Sequence, residues 1–288
     1  MKSMNIKHIN TVLEKGSGIL NEDAIHVDGE LFGVFDGATS LDKSTFRDNI
    51  TGGYIASSTA CRTFSINGCS LEKLAYKANL AIRREMLSCG INIDQREKLW
   101  STSAAVARIK TPCEEERQKD TNPMLMEWLQ TGDAFILLIL EDGSHRLLGK
   151  NHDHDYETLS MWKNITGSHN DILISDALDQ QIKKVRMGMN RTYGVLNGED
   201  AAEKFITSGM QSLEGVEHIL IFTDGLAIPS SEPSKHKNFD TLVKEYLSRG
   251  LEGLKNHIRK IERQDPQCRQ YPRFKCHDDI AAVAIELS

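Results

Sequence analysis

The chain has no membrane-length apolar run, no clustered stripe of Lys or Arg and no Cys-x-x-Cys pair, and each absence removes a class of function. A membrane-spanning helix needs ~20 consecutive apolar residues, and no stretch approaches that. The first twelve residues alternate Ile6, Ile9 and Val12 with polar side chains, so no signal peptide is expected. A formal charge of -6 and a pI near 5.9, without a basic patch, argue against a nucleic-acid surface. The six cysteines, at positions 61, 69, 89, 113, 268 and 276, are scattered in the manner of free thiols in a reducing cytoplasm. Cys268, Cys276 and His277 form at most a loose trio, short of the four ligands of a structural zinc site. What remains is a cytoplasmic chain of 288 residues, long enough to bury a full core, with no linker composition dividing it. One domain over 1–288 is expected.

The most informative stretch is Leu31-Phe32-Gly33-Val34-Phe35-Asp36-Gly37. A run of large apolar residues reads as a buried strand and stops on a carboxylate beside a glycine. Asp-Gly is a common turn dipeptide, so context must separate turns from chemistry. Asp28-Gly29 and Asp142-Gly143 lie between strand-like segments and read as hairpin turns. Asp36-Gly37 and Asp224-Gly225 instead follow apolar strands and lead into polar sequence, where no turn explains the Asp. Hard carboxylate oxygens at strand ends suit Mg²⁺ or Mn²⁺. If Asp28-Gly29 is the two-residue turn, Asp23 faces Val34 and lies diagonal to Asp36, roughly 7–8 Å away at Cα and on the same face.

Strands are expected near residues 5–13, 24–27, 30–35, 101–109, 125–130, 134–141, 144–148, 217–223 and 280–285. Helices are expected over 44–65, weakened at Gly52-Gly53, over 71–87 on a stripe from Leu71 to Met86, and over 239–263. The acidic and basic run 111–123 reads as a solvated surface loop. His152-Asp153-His154-Asp155 invites a metal reading, but without regular spacing to aim the side chains it reads as a hydrated loop. Residues 186–208 show little strand pattern and suit a mobile flap beside a site.

Six short motifs occur in one order: Asn21-Glu22-Asp23, Val34-Phe35-Asp36-Gly37, Ser101-Thr102-Ser103, Gly132-Asp133, Phe222-Thr223-Asp224-Gly225 and Asp278-Asp279-Ile280. The series resembles the metal-dependent protein phosphatases of the PPM family, the type 2C serine/threonine phosphatases, in their bacterial form. The resemblance spans about Asn5 to Leu287 and implies an α+β fold, an αββα sandwich of two mostly antiparallel sheets flanked by helical layers. It implies that Asp36 bridges two Mn²⁺ or Mg²⁺ ions, that the Gly37 carbonyl completes one shell and that Asp224 and Asp278 hold the other ion. Glu22 and Asp23 correspond to the family's acidic pair, acting directly or through bound water. Asp133 corresponds to a residue that helps bind a third ion. The implied activity is hydrolysis of phosphoserine or phosphothreonine in proteins by a metal-activated water, with Asp36, Asp224 and Asp278 as the catalytic set and a monomeric chain.

Two positions depart from the family. Gly18 stands where the family's phosphate-holding Arg is expected, with Lys15, Lys43 or Arg47 as substitutes, and Ala38 stands where many eukaryotic members carry a His. The alternative is therefore a weak or inactive PPM-fold protein that binds a phosphorylated partner or scaffolds signalling.

Overall fold

The computed structural model describes residues 5–38, 45–46, 49–66, 68–110, 124–151, 153–165 and 174–288. Lys43, Arg47, Cys113, His152 and the charged run 111–123 lie outside the described residues.

Two five-stranded sheets form the centre. One has the order β1-β12-β11-β8-β9, from β1 (Ile6–Glu14), β8 (Phe135–Leu140), β9 (His145–Leu148), β11 (Val216–Phe222) and β12 (Ile280–Leu287). The other has the order β10-β7-β6-β3-β2, from β2 (Ala24–Asp28), β3 (Leu31–Gly37), β6 (Thr102–Lys110), β7 (Leu125–Thr131) and β10 (Thr207–Ser212). Every ladder within them is antiparallel. The period of two along each strand sorts its residues between two cores. Phe32 and Val34 of β3 pack between the sheets with Ile136, Ile221 and Val283, whereas Leu31 and Phe35 pack outward. That outward face meets α1 (Gly52–Phe64) and α2 (Leu71–Ser88). The outer face of the other sheet, with Phe135, Leu220 and Ala282, packs on Leu242, Tyr246, Leu254 and Ile258 of the long helix Asp240–Gln264. The architecture is the αββα sandwich that the family resemblance implies, and strands apolar on both faces agree with it.

Three local expectations are corrected. The segment 44–65 is not one helix: α1 starts at Gly52, and Thr45–Phe46 (β4) pairs with Ile50–Thr51 (β5) ahead of it. The Gly52-Gly53 pair disfavours a continuous helix, and Thr51 Oγ1 accepts the N–H of Tyr54 at 3.3 Å as the cap. The helix expected over 239–263 breaks at Gly250, whose φ of 69° only glycine adopts readily. The unpatterned segment 186–208 ends inside β10 (Thr207–Ser212), an edge strand whose backbone pairs with β7 although its side chains carry no apolar alternation.

A register difference matters more. Asp28 pairs with Leu31 and Ala24 with Phe35, so Gly29 (φ 58°) and Glu30 make the turn, not Asp28-Gly29. Relative to the sequence expectation the ladder slips by two residues. Face assignments survive such a slip. Asp23 directly precedes the Ala24–Phe35 pair and Asp36 directly follows it, so the register that ends there replaces the diagonal arrangement inferred from the turn.

Candidate active site

The site lies at one end of the sandwich, where β3, β11 and the approach to β12 finish on acidic residues. Glu22 and Asp23 are buried, and Asp36, Asp133, Asp224 and Asp278 are partly exposed. Asp36 is the last but one residue of β3 and pairs in register with Ser103. Ser103 Oγ donates to Asp133 Oδ1 at 2.6 Å, so Ser103 ties the Asp133 turn to the Asp36 strand. Gly132 permits this approach: its φ is 74°, and an added Cβ would lie 2.2 Å from Ser103 Oγ. Thr223, buried just before Asp224, donates to Asp23 Oδ2 at 2.7 Å and joins the two sheets at their acidic edge. Thr51 Oγ1, the cap of α1, donates to Glu22 Oε1 at 2.6 Å.

The electrostatics record how closely these segments converge. Withdrawal from water holds the Asp36 carboxyl well above the usual carboxylate range, and the charges of Asp23, Asp224, Asp133 and Asp278 push in the same direction. Asp23 is raised well above its ordinary value by burial too, against the Thr223 hydrogen bond and with Asp278, Asp279 and Asp224 adding to it. Burial brings Asp224 up to about 7 despite the neighbouring Lys237 cation, with Asp133 and Asp278 contributing. Carboxylates from five separate stretches therefore act on one another through their charges at this end of the sandwich. Such a set fits divalent cations, because hard oxygen donors with unbalanced negative charge are what Mg²⁺ or Mn²⁺ neutralises. Asp36, Asp224 and Asp278 are the outer carboxylates of this set, with Glu22 and Asp23 buried behind them.

Asp278 and Asp279, adjacent in sequence, have different environments. Asp279 is buried and spends both oxygens on backbone N–H groups, Gly16 at 2.7 Å and Glu22 at 2.9 Å. Asp278 faces the site with Lys275 Nζ at 2.9 Å, and its carbonyl accepts from Arg259 Nη2 at 2.7 Å. Arg259 also holds Glu14 and the buried Glu262, so a fixed ionic base lies under Asp278.

Sequence reasoning missed three groups. His154 and Asp155, read as part of a hydrated loop, lie beside Asp133: His154 Nε2 is 3.8 Å from Asp133 Oδ2 and 3.6 Å from Asp155 Oδ2. Together these three offer ligand atoms that lie within 4.8 Å of one another. His154 also stacks on Tyr193 with ring centroids 3.9 Å apart. Burial works against its proton, yet the charges of Asp155, Asp133 and Asp153 hold the His154 pKa above the ordinary value. Lys237 is the second missed group, 3.8 Å from Asp224 Oδ2 and 3.9 Å from Asp153 Oδ2, and Lys275 is the third. The Asp-x-Asp flanks of His154 were the available signal; nothing local to either lysine marks it.

The other candidates are resolved by their partners. His277 Nδ1 pairs with Glu262 at 2.9 Å and Cys268 Sγ donates to the Lys275 carbonyl at 3.3 Å, so the loose zinc trio is not assembled as ligands. Lys15 Nζ reaches the Ile19 carbonyl at 3.4 Å. The segment expected as a flap is pinned: Leu196 exchanges backbone hydrogen bonds with Thr102 at 2.9 and 3.0 Å, and Met189, Tyr193, Val195 and Leu196 enter the core against α1 and α2. Beside Asp224 and Asp278 opens a cleft of about 570 Å³, bordered by Asp153, Asp155, Pro229, Tyr271 and Phe274.

No protein-family model matches this sequence, and no curated protein does. Solved structures do. The catalytic domain of the serine/threonine protein phosphatase PstP, in complex with two manganese ions, aligns with a TM-score of 0.53 at 13% identity over 97% of either chain. The PPM Ser-Thr phosphatase MsPP from Mycobacterium smegmatis, in complex with cacodylate, aligns with 0.55 at 17% identity over 98% of this chain and 99% of its own. The fold is that of the PPM phosphatases. Serine/threonine phosphatase Stp1 from Staphylococcus aureus agrees, with a TM-score of 0.56 at 11% identity over 99% of this chain and 97% of its own. Within the PPM fold, the acidic end of the sandwich described above is formed by the motifs that carried the resemblance in sequence. No helix among the described residues is long and apolar enough to cross a membrane.

Proposed function

We propose that this protein is a metal-dependent phosphatase acting on phosphoserine or phosphothreonine of proteins in the cytoplasm, as a monomer. The observation that carries the reading is the meeting of separate stretches at one acidic end: Thr223 joins Asp23 to the Asp224 strand, Ser103 joins Asp133 to the Asp36 strand, and Asp23, Asp36 and Asp224 each feel the charge of other carboxylates of the set. Asp36, with the Gly37 carbonyl, Asp224 and Asp278 would hold two Mn²⁺ or Mg²⁺ ions, with Glu22 and Asp23 supporting. PstP, of the same fold, is known with two manganese ions. Such ions supply a water of lowered pKa as nucleophile and offset charge on the phosphoryl oxygens. The chain's own part is to orient these carboxylates: Thr223 fixes Asp23, Thr51 fixes Glu22, and Asp279 holds the Glu22 backbone. Asp133, with His154 and Asp155, would form a third cation position. The 570 Å³ cleft beside Asp224 offers room for a short extended segment around a phosphorylated side chain.

The deciding experiment is hydrolysis of an aryl phosphate and a phosphopeptide with Mn²⁺ and with EDTA, alongside Asp36→Asn and Asp224→Asn. Turnover that needs the metal and vanishes in both variants is expected. Activity that survives either substitution removes the assignment. Gly18, in place of a phosphate-holding cation, favours a second reading, a phosphoprotein-binding chain without catalysis. Metal binding at the acidic site with no turnover of any phosphopeptide would favour it.

A further inference from the structure

We propose that Lys275 grips the phosphoryl group of the substrate, and that in the metal-free chain the same ammonium serves as the counter-ion of Asp278; this rests on the phosphatase reading above. A phosphate monoester brings two negative charges to a pocket already rich in carboxylates, and a side-chain cation besides the metals adds a charge-assisted hydrogen bond to its oxygens. Among the described residues, two ammonium groups pair with the outer carboxylates. Lys237 lies between Asp224 and Asp153, sits over the Phe135 ring at 5.7 Å, and has its backbone bracketed by Asn151, whose side chain bonds both the Lys237 N–H and its carbonyl. With Asp224 committed to a cation, Lys237 still has Asp153.

Lys275 is held differently. Among the described residues its one hydrogen-bonded carboxylate is Asp278, at 2.9 Å, with the charges of Glu22 and Asp279 further off. With Asp278 committed to a cation, Lys275 loses that partner and carries an unspent charge beside Asp278, where its side chain is about a quarter exposed. Its stem cannot drift. The Lys275 carbonyl accepts from Cys268 Sγ, the Cys276 carbonyl accepts from Arg273 Nε at 3.1 Å, and Arg273 is fixed by Asp265 at 2.8 Å. The loop on the facing side supplies no competitor: Ser17 N–H donates to the His277 carbonyl at 2.8 Å, Gly18 follows, and Lys15 turns to the Ile19 carbonyl. A rigid loop thus aims one flexible ammonium at the position next to Asp278.

This dual role has two consequences of opposite sign, which a merely structural lysine would not produce. Lys275→Gln removes a competitor for Asp278, so Mn²⁺ should bind at least as tightly as to the wild type. The same change removes a phosphate contact, so the Mn²⁺-loaded protein should bind inorganic phosphate about ten-fold more weakly or worse, the worth of one charge-assisted hydrogen bond. Calorimetry of the full chain with Mn²⁺, then with inorganic phosphate, reads both, and the KM for an aryl phosphate should rise in parallel. Lys275→Arg should recover most of the phosphate affinity. Phosphate binding by Lys275→Gln within about two-fold of the wild type, with Mn²⁺ binding intact, overturns the proposal and leaves the phosphatase reading standing. A wild-type chain that takes up no Mn²⁺ overturns both.

Discussion

Asp279 holds Glu22 by its backbone: Oδ2 accepts the Glu22 N–H at 2.9 Å while Oδ1 accepts that of Gly16 at 2.7 Å. A carboxylate so occupied is a bracket between β12 and the entry to β2, and in the proposed function the role of ligand falls to its neighbour Asp278. Asp279→Asn puts an amide where one N–H now finds an acceptor, and stability should fall by about 1–3 kcal/mol with or without metal. Asp278→Asn should leave the metal-free melting temperature close to the wild type and abolish Mn²⁺ binding in calorimetry. The reverse pattern would exchange the two roles.

Gly37 is confined for a steric reason. A Cβ there would lie 2.4 Å from the Gly53 carbonyl and 2.5 Å from that of Glu22, both rigid backbone. Gly37→Ala must push β3 away from α1 and from Glu22, at about 1–3 kcal/mol of the kind met in overpacked cores. Denaturant unfolding should show this as a lower midpoint with unchanged slope.

Metal binding should appear as stability. Mn²⁺ at a hundred times its dissociation constant should stabilise the wild type by about 2.7 kcal/mol per site, and EDTA should reverse it. Asp36→Asn should lose most of this gain, because Asp36 is the carboxylate that senses the others on every side. A thermal shift of the same size in Asp36→Asn would place the cations elsewhere.

The loop that carries Lys275 depends on Asp265. Burial works to raise this carboxyl, but the N–H groups of Tyr271 and Arg269 and the Arg273 guanidinium outweigh it and hold the pKa below the ordinary value. A depressed pKa in the folded state contributes stability above the unfolded value, and that stability is lost as pH falls through the folded one. Asp265→Asn should therefore cost about 1–3 kcal/mol at neutral pH, and its deficit against the wild type should shrink below about pH 4. A deficit that stays constant down to pH 2 would show that the carboxylate charge plays no part.

The strands were readable because burial on both faces leaves an apolar run that ends abruptly, and Asp36, Asp224 and Asp278 were readable as charges at such ends. Their neighbours show where local pattern stops being sufficient. β10 escaped notice because an edge strand can rest on backbone pairing alone, as Thr207–Ser212 does on β7. The turn after β2 was misread by two residues because Asp28-Gly29 and Gly29-Glu30 both accommodate a positive φ at Gly29, and only the sheet chooses between them.

The amino-acid order by itself determined the layers of this protein and the acids at their ends, since periodicity and strand punctuation are properties of neighbours along the chain. Tertiary structure alone decided that His154 and Asp155 join Asp133, that Asp279 is a bracket and Asp278 is not, and that Lys237 and Lys275 face the acids. Those outcomes depend on distances between residues tens to hundreds of positions apart, and Coulomb and hydrogen-bond energies follow distance in space.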